Sequence, residues 1–233
     1  SWLNVTPSDR LSEEMLFNDR EGFVKALNGV YIELNTNELY GRNLTAGALD
    51  VMGQYYSVAS SSHAFYNYGG LVYTGNDEKA LFDNMWQKCY AVIACCNTII
   101  EKCDENKAGL SPVWKGSIKG EALALRAMLH FDMLRLFGPL TSELDKESIP
   151  YQTNSDQTVT PLLSGSEVIG LILDDLKNAV GLLKDTDPYF VEEEFSDTDL
   201  NYRRFRMNYF AAKGLMARVQ LWGGDKEKAA ITA

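Results

Sequence analysis

The chain has 233 residues, 45% of them hydrophobic and 23% charged, so it can bury a sizeable core and we expect most of it to be ordered. With 32 Asp and Glu against 22 Lys and Arg, its net charge is −10. This charge argues against a nucleic acid partner and gives no attraction to anionic lipid. No apolar run reaches the roughly 18–20 residues that a membrane span needs.

The N-terminal part of the chain predicts two helices and a loop. The first helix begins near Asn18, because Asn18 and Glu21 have the spacing of a capping box, and Gly41 is a suitable terminator. A shorter helix is expected over roughly residues 44–56. Residues 57–77 are rich in Ser and Gly and are predicted to form a loop.

A long helix is predicted from about Glu78 to Cys103, where apolar residues alternate at spacings of three and four. Cys89, Cys96 and Cys103 recur every two turns on one face, and seven residues rise roughly 10 Å, too far for disulfides along one helix. CxxC-like pairs with His partners, the usual zinc ligands, are missing. We therefore interpret these three residues and Cys95 as small buried hydrophobic residues and predict no metal site.

The next helix is predicted to begin at Ser111, an N-cap followed by Pro112 at the first helical position, and to end at Phe137. It is apolar on most sides, which is typical of a helix packed between other helices. Residues 138–163 are predicted to be a long irregular connection.

Ser164 and Glu167 have capping-box spacing and predict the start of another helix. Asp174 and Asp175 are expected on its solvent-facing side. Residues 184–203 are acidic and are predicted to be irregular.

The last full helix is expected from Phe205 to Trp222, ended by Gly223 and Gly224. Asp225 then starts a helix with no stop signal, so we expect the chain to be truncated at its C-terminus. Because strand signals are scarce, the sequence predicts an all-α protein, either a bundle or a solenoid of helix pairs. The Ala-rich stretch followed by GDKEKA is typical of a tetratricopeptide half-repeat and favours the solenoid.

Several segments carry a family resemblance and occur in the family's order. They are the opening segment Trp2 to Tyr31 with its ALNGVY motif, MWQKCYAVIACCNTIIEKC, the most specific segment GEALALRAMLHFDMLRLFGPL, and the later IPY and EVIGLILDDLKNAVGLL. With these segments the chain resembles the N-terminal part of the SusD/RagB family of Bacteroidetes outer-membrane nutrient-binding lipoproteins.

The resemblance implies tetratricopeptide-like helix pairs in a right-handed superhelical array with long irregular connections, filling residues 1–233 as one N-terminal region. It implies a surface-exposed lipoprotein of the cell outer membrane, anchored through a cysteine upstream of Ser1. The implied partners are a SusC-like TonB-dependent transporter and an oligosaccharide or related nutrient. The implied role is binding without catalysis, and no cofactor is expected.

The segment from Tyr55 to Tyr73 holds five of the chain's twelve tyrosines. Tyrosine combines a flat apolar face with a hydroxyl, a combination that suits the stacking of sugar rings. The same rings could instead pack a long loop onto helices or contact the transporter, and the sequence leaves these three roles open. The candidate ligand-binding residues are Tyr55, His63, Tyr66, Asn67, Tyr68 and Tyr73.

Other polar clusters are interpreted as structural. Arg126 with His130, and Asp132 with Arg135, have helical spacings on a mostly apolar helix, and we expect ion pairs rather than catalysis because no nucleophile or carboxylate pair accompanies them. Residues 192–194 are three consecutive glutamates. An all-α glycosidase would need two carboxylates across a bond, whereas such a run is typical of solvated surface.

A second class of function remains open. A tetratricopeptide-type scaffold with no small ligand would hold a peptide or protein on its concave surface. Sugar titration and protein pull-down distinguish that scaffold from a glycan-binding protein.

Overall fold

The computed structural model describes residues 14–156 and 158–233. Most of these residues are helical, which confirms the predicted all-α class. Residues 2–13 of the Trp2 to Tyr31 segment lie outside the described residues. The α-helices that lie wholly within them are α1 (Arg20–Leu34), α2 (Ala48–Met52), α3 (Tyr66–Gly69), α4 (Asn76–Glu105), α5 (Pro112–Phe137), α6 (Gly165–Thr186), α7 (Asp197–Arg203), α8 (Tyr209–Trp222) and α9 (Lys226–Thr232).

Helices α5 and α6 begin where the sequence predicts. The Ser111 side chain accepts a hydrogen bond from the backbone N–H of Trp114 at 3.3 Å. Ser164 and Glu167 form a complete capping box, in which the Ser164 N–H donates to Glu167 Oε2 at 2.8 Å and the Glu167 N–H donates to Ser164 Oγ at 3.3 Å. These caps satisfy backbone groups that would otherwise lack partners at the helix ends.

Residues 138–163 contain a strand pair that the sequence analysis did not predict. Strand β1 (Glu147–Pro150) pairs antiparallel with strand β2 (Leu162–Ser164), and Ile149 is fully buried. Strands of three or four residues are too short to show an alternating pattern, and pairing across a long connection leaves no local signal.

Two other boundaries differ from the prediction. In residues 184–203, expected to be irregular, Ser196 and Asp199 form a capping box at the start of α7. Helix α8 begins at Tyr209 instead of Phe205, because the side chain of Asn208 caps it by accepting the backbone N–H of Ala211 at 2.9 Å.

By its contacts the chain divides into a larger unit, Ser1–Leu27 with Ile93–Ala233, and a smaller unit, Asn28–Val92. In the larger unit α5 packs along α6 and is buried over most of its length, as predicted. Gly120 permits the close approach of the two helices, because a Cβ there would lie 2.8 Å from Cγ of Leu183.

The cysteines of α4 are only partly as predicted. Cys89, Cys96 and Cys103 are buried and form no disulfide, which confirms the interpretation of the heptad-spaced residues. The expectation that Cys95 is also buried is wrong, because its position next to Cys96 turns it onto the exposed side of the helix.

Arg126 of α5 forms a buried, two-point ion pair with Asp175 of α6. Its Nε and Nη2 donate to Asp175 Oδ2 and Oδ1 at 2.7 and 2.6 Å, and its Nη1 donates to Asn97 Oδ1 at 2.8 Å. The hydroxyl of Tyr151 donates to the same carboxylate at 2.6 Å. The predicted pairing of Arg126 is confirmed. The prediction that Asp175 faces solvent is wrong. Asp175 is 7% exposed, because it pairs with Arg126 on the helix packed against α6.

His130 completes this network beneath the segment that follows β1. Its Nδ1 lies 2.9 Å from the carbonyl oxygen of Arg126, and its Nε2 accepts the backbone N–H of Gln152 at 3.0 Å. The ring stacks on Tyr151 with centroids 3.9 Å apart. One turn further along α5, Asp132 and Arg135 form the predicted ion pair.

A second buried network surrounds Arg203 at the end of α7. Arg203 donates to Asp187 at 3.0 and 2.6 Å and pairs with Glu121 of α5. The backbone N–H of Tyr209 donates to Asp187 at 2.8 Å. Both charged residues of the GEALALR stretch, Glu121 and Arg126, therefore hold helices together inside the larger unit.

Candidate functional site

The candidate ligand residues lie in the smaller unit, on and around two short helices. Residues 57–77, predicted as a loop, contain helix α3, and α2 is confined to Ala48–Met52 instead of covering residues 44–56. The small core consists of Ala48, Val51 and Tyr68, with Met52, Val58, Phe65, Tyr73, Leu81 and Phe82 packed against it.

Tyr68 and Tyr73 belong to this core. Tyr68 is 2% exposed, and its ring meets those of Phe65 and Phe82 nearly edge-on, with centroids 5.8 and 6.0 Å apart. Tyr73 is half-buried against Phe82 at 5.4 Å. Burial, reinforced by the Glu78 carboxylate, raises the pKa of Tyr68 to about 12, so the phenol stays neutral. Both tyrosines thus have the packing role, one of the three that the sequence left open.

Tyr55 and Tyr66 present their side chains to solvent. Tyr55 is 82% exposed and Tyr66, the first residue of α3, is 42% exposed. The Tyr55 ring lies against the backbone of Gly53, where an added Cβ would be 3.1 Å from the ring. A tyrosine ring that is this exposed can stack against an apolar ligand surface.

His63 and Asn67 lie on the same exposed stretch. His63 Nδ1 accepts the backbone N–H of Phe65 at 3.0 Å, which places the proton of the neutral ring on Nε2. Asn67 Nδ2 donates to Glu78 Oε1 at 2.8 Å, so part of its hydrogen-bonding capacity already holds α3 to α4. His63 Nε2 can therefore donate a hydrogen bond to a ligand, whereas the Asn67 amide nitrogen already donates one to Glu78.

Helix α2 ends in a Schellman motif with a glutamine at the left-handed position. Gln54 has φ +60°; its N–H donates to the carbonyl of Val51 at 3.1 Å, and the N–H of Tyr55 donates to that of Asp50 at 3.0 Å. Glycine is usual at this position, because the left-handed conformation costs other residues roughly 1–2 kcal/mol.

Helix α3 ends in the same way. Leu71 has φ +54°; its N–H donates to the carbonyl of Tyr68 at 3.1 Å, and the N–H of Val72 donates to that of Asn67 at 2.9 Å. Among the described residues, the other non-glycine position with positive φ is Asn106, a residue type that tolerates it. Backbone strain of this kind clusters at functional sites.

Neither strained position is recognisable from the sequence. The tyrosines are visible as a compositional excess, but neither a Gln nor a Leu signals a left-handed residue. The ring of Phe65 lies beside those of His63 and Tyr68, a contact that the sequence does not predict. The structure thus separates the six candidates into four on the exposed surface (Tyr55, His63, Tyr66 and Asn67) and two in the core (Tyr68 and Tyr73).

Outside the tyrosine segment, the described residues include the glutamate run that the sequence raised. The three glutamates form a 3-10 turn, Glu192–Glu194, in which Glu192 and Glu193 are exposed. Over residues 14–156 and 158–233, no group of three or more His, Cys, Asp or Glu side chains is placed to hold a metal ion. The helices found in those same ranges are all too short or too polar to cross a membrane.

Comparison with known proteins places this helical chain in a family. A family model described as "Starch-binding associating with outer membrane" matches residues 1–221. The chain therefore belongs to the SusD-like family, and the resemblance found in the sequence is confirmed.

Individual relatives are distant and longer. SusD-like protein P2 of Formosa agariphila is 25% identical over 238 aligned positions, which cover 99% of this chain and 42% of the relative. A SusD-like protein of Bacteroides ovatus is 30% identical over 146 positions, 61% of this chain and 23% of the relative. The chain thus spans less than half the length of these curated relatives.

Solved structures share the fold. A SusD-like carbohydrate binding protein from Bacteroides vulgatus has a TM-score of 0.71 at 23% identity, over 92% of this chain and 44% of that one. A laminarin binding SusD-like protein has a TM-score of 0.67 at 17% identity, over 92% of this chain and 42% of that one. These likenesses confirm the fold and the family expectation of helical architecture.

Proposed function

We propose that this chain is part of a surface glycan-binding protein and that its smaller unit contacts the sugar. The observation that supports this most is the pair of exposed rings next to the small aromatic core: Tyr55 directly follows the left-handed residue at the end of α2, and Tyr66 is the first residue of α3. Sugar rings have apolar C–H faces that stack on tyrosine, and His63 Nε2 and the Asn67 amide oxygen can bond sugar hydroxyls. Membership of a family described as starch-binding makes a glycan the best-supported ligand.

The binding would be shallow. The Tyr55 side chain is largely exposed and that of Tyr66 is partly exposed, so a bound sugar keeps part of its surface in water. Affinity would be modest, because little apolar area is buried and polar sugar groups must be desolvated. Binding would therefore depend on how well the rings are held in place before the sugar arrives.

We also propose a cellular role for this chain. We infer a lipoprotein of the cell outer membrane, anchored through a cysteine upstream of Ser1, that passes its oligosaccharide to a SusC-like TonB-dependent transporter. The role is non-catalytic: the sugar is bound by stacking and hydrogen bonding and leaves unchanged. The description of the family as associating with the outer membrane supports this placement.

Isothermal titration calorimetry with oligosaccharides of starch and of laminarin tests the ligand proposal. Tyr55→Ala and Tyr66→Ala should each weaken binding about 3- to 10-fold, since an aromatic contact is worth about 1 kcal/mol. Tyr202→Ala is the matched control, because Tyr202 is 62% exposed but lies in the larger unit. Equal affinity in all three variants would contradict the assignment of the surface. If Tyr55→Ala instead weakens capture of the transporter while sugar binding is unchanged, the surface is a partner contact.

A further inference from the structure

We propose that Gln54 is a positioning residue, whose side chain sets Tyr55 relative to Tyr66. This inference rests on the proposed glycan-binding function, because it concerns the same pair of exposed rings. The backbone of Gln54 is left-handed, a conformation that glycine adopts at a lower energetic cost.

The side chain of Gln54 has a specific use at this position. Its Nε2 donates to the carbonyl of Val51 at 3.3 Å and to the carbonyl of Gly69 at 3.0 Å. Val51 lies in α2 and Gly69 is the last residue of α3, so one amide group joins the C-terminal ends of both short helices. Glycine would relieve the backbone strain but would remove this link.

The link lies close in the chain to both rings. Tyr55 is the next residue after Gln54, and Tyr66 lies one helical turn before Gly69. The neighbouring contacts are close, since a Cβ on Gly69 would lie 3.4 Å from Cγ1 of Val51. The Gln54 amide is therefore placed to fix the distance and orientation between the two rings.

On the C-terminal side of Tyr55, a separate hydrogen bond anchors Tyr56. The Tyr56 hydroxyl donates to the carbonyl of Ala46, at the beginning of the α2 region. The backbone of Tyr55 is thereby held between two anchored residues, Gln54 and Tyr56, while its ring stays exposed to solvent. Rings held in this way lose little conformational freedom on binding, which favours affinity for a shallowly bound sugar.

A double-mutant cycle tests the proposal by calorimetry with the wild-type chain's best starch or laminarin oligosaccharide. Gln54→Gly should weaken binding severalfold without lowering the thermal midpoint, because glycine accepts the left-handed backbone. Gln54→Glu, which keeps the length but cannot donate, should weaken binding to a similar degree. In a Tyr55→Ala background, Gln54→Gly should cause little additional loss, because the effect of Gln54 passes through Tyr55.

Leu71→Gly is the matched control, since it relieves the equivalent strain in α3 without removing a side-chain hydrogen bond, and it should leave affinity unchanged. Wild-type affinity in Gln54→Gly, or an equal loss with and without Tyr55, would overturn the proposal. If the wild-type chain binds no glycan, the proposed function fails, and the positioning role is decided by nuclear Overhauser contacts between the Val51 methyl groups and the Gly69 α-protons, which lie close together in the structure. Those contacts should be lost in Gln54→Gly, and their persistence would overturn the inference.

Discussion

Arg126 and Asp175 face each other across α5 and α6 with two hydrogen bonds of 2.7 and 2.6 Å, and both side chains are almost completely removed from solvent. A buried charge that loses its partner is strongly destabilising, because neither water nor another charge compensates it. Breaking the pair should therefore destabilise the larger unit.

Asp175→Ala should lower the free energy of unfolding by roughly 3–5 kcal/mol, since it leaves the Arg126 guanidinium buried and unpaired. Urea denaturation followed by circular dichroism measures the change. The adjacent Asp174→Ala is the control: that side chain is 65% exposed and pairs only with Lys177 at the surface, so it should change stability by about 0.5 kcal/mol or less. Equal effects of the two substitutions would show that the buried pair is not stabilising.

His130 should make the larger unit sensitive to acid. Burial, with a smaller contribution from the nearby Arg126 guanidinium, lowers the pKa of His130 from 6.5 to about 3, and the neutral ring accepts the backbone N–H of Gln152 at Nε2. Between pH 6.5 and 3 the unfolded chain binds a proton that the folded chain does not, so stability falls as the pH falls through this window. The loss should be on the order of 3 kcal/mol by pH 4.

The measurement compares unfolding free energies of wild type and His130→Gln from pH 7 to pH 4. Carboxylates titrate in both proteins, so only the difference between the two curves reports on His130. That difference should change steadily as the pH is lowered below 6.5. A difference that stays constant over the range would mean that His130 does not carry the acid sensitivity.

Gly120→Ala should destabilise the larger unit by about 1–3 kcal/mol, because the new methyl group would collide with Leu183 at the crossing of α5 and α6. Gly181→Ala, in α6, is the matched control: nothing lies within 4 Å of its would-be Cβ, and alanine favours a helix by up to about 1 kcal/mol. Thermal unfolding should therefore move in opposite directions for the two variants. A shift of the same sign would contradict the close approach at Gly120.

The sequence predicts the long helices well because their signals are local. Ser111 with Pro112, and Ser164 with Glu167, fix the starts of α5 and α6 through hydrogen bonds that span three residues. The burial of Asp175 could not be predicted in this way, since the amphipathic pattern of α6 contains no information about Arg126 on another helix. The pairing of β1 with β2 could not be predicted either, because it joins residues that are far apart in the chain.

At the candidate site, the sequence identifies the segment but not the arrangement. The tyrosine excess locates residues 55–73, yet it cannot tell buried Tyr68 from exposed Tyr55, because both are surrounded by polar and small residues in the chain. Gln54 lies one position outside the segment and is recognisable only from its backbone angle. The assignment of Tyr55, His63, Tyr66 and Asn67 to a ligand stays a prediction.

The most direct test of the glycan-contact surface is a nuclear magnetic resonance titration of the isotope-labelled chain with laminarin and starch oligosaccharides. We predict saturable shift changes concentrated at residues 53–73, with the ring signals of Tyr55 and Tyr66 among the most affected. Changes confined to the larger unit, or no change with either sugar at millimolar concentration, would contradict the account.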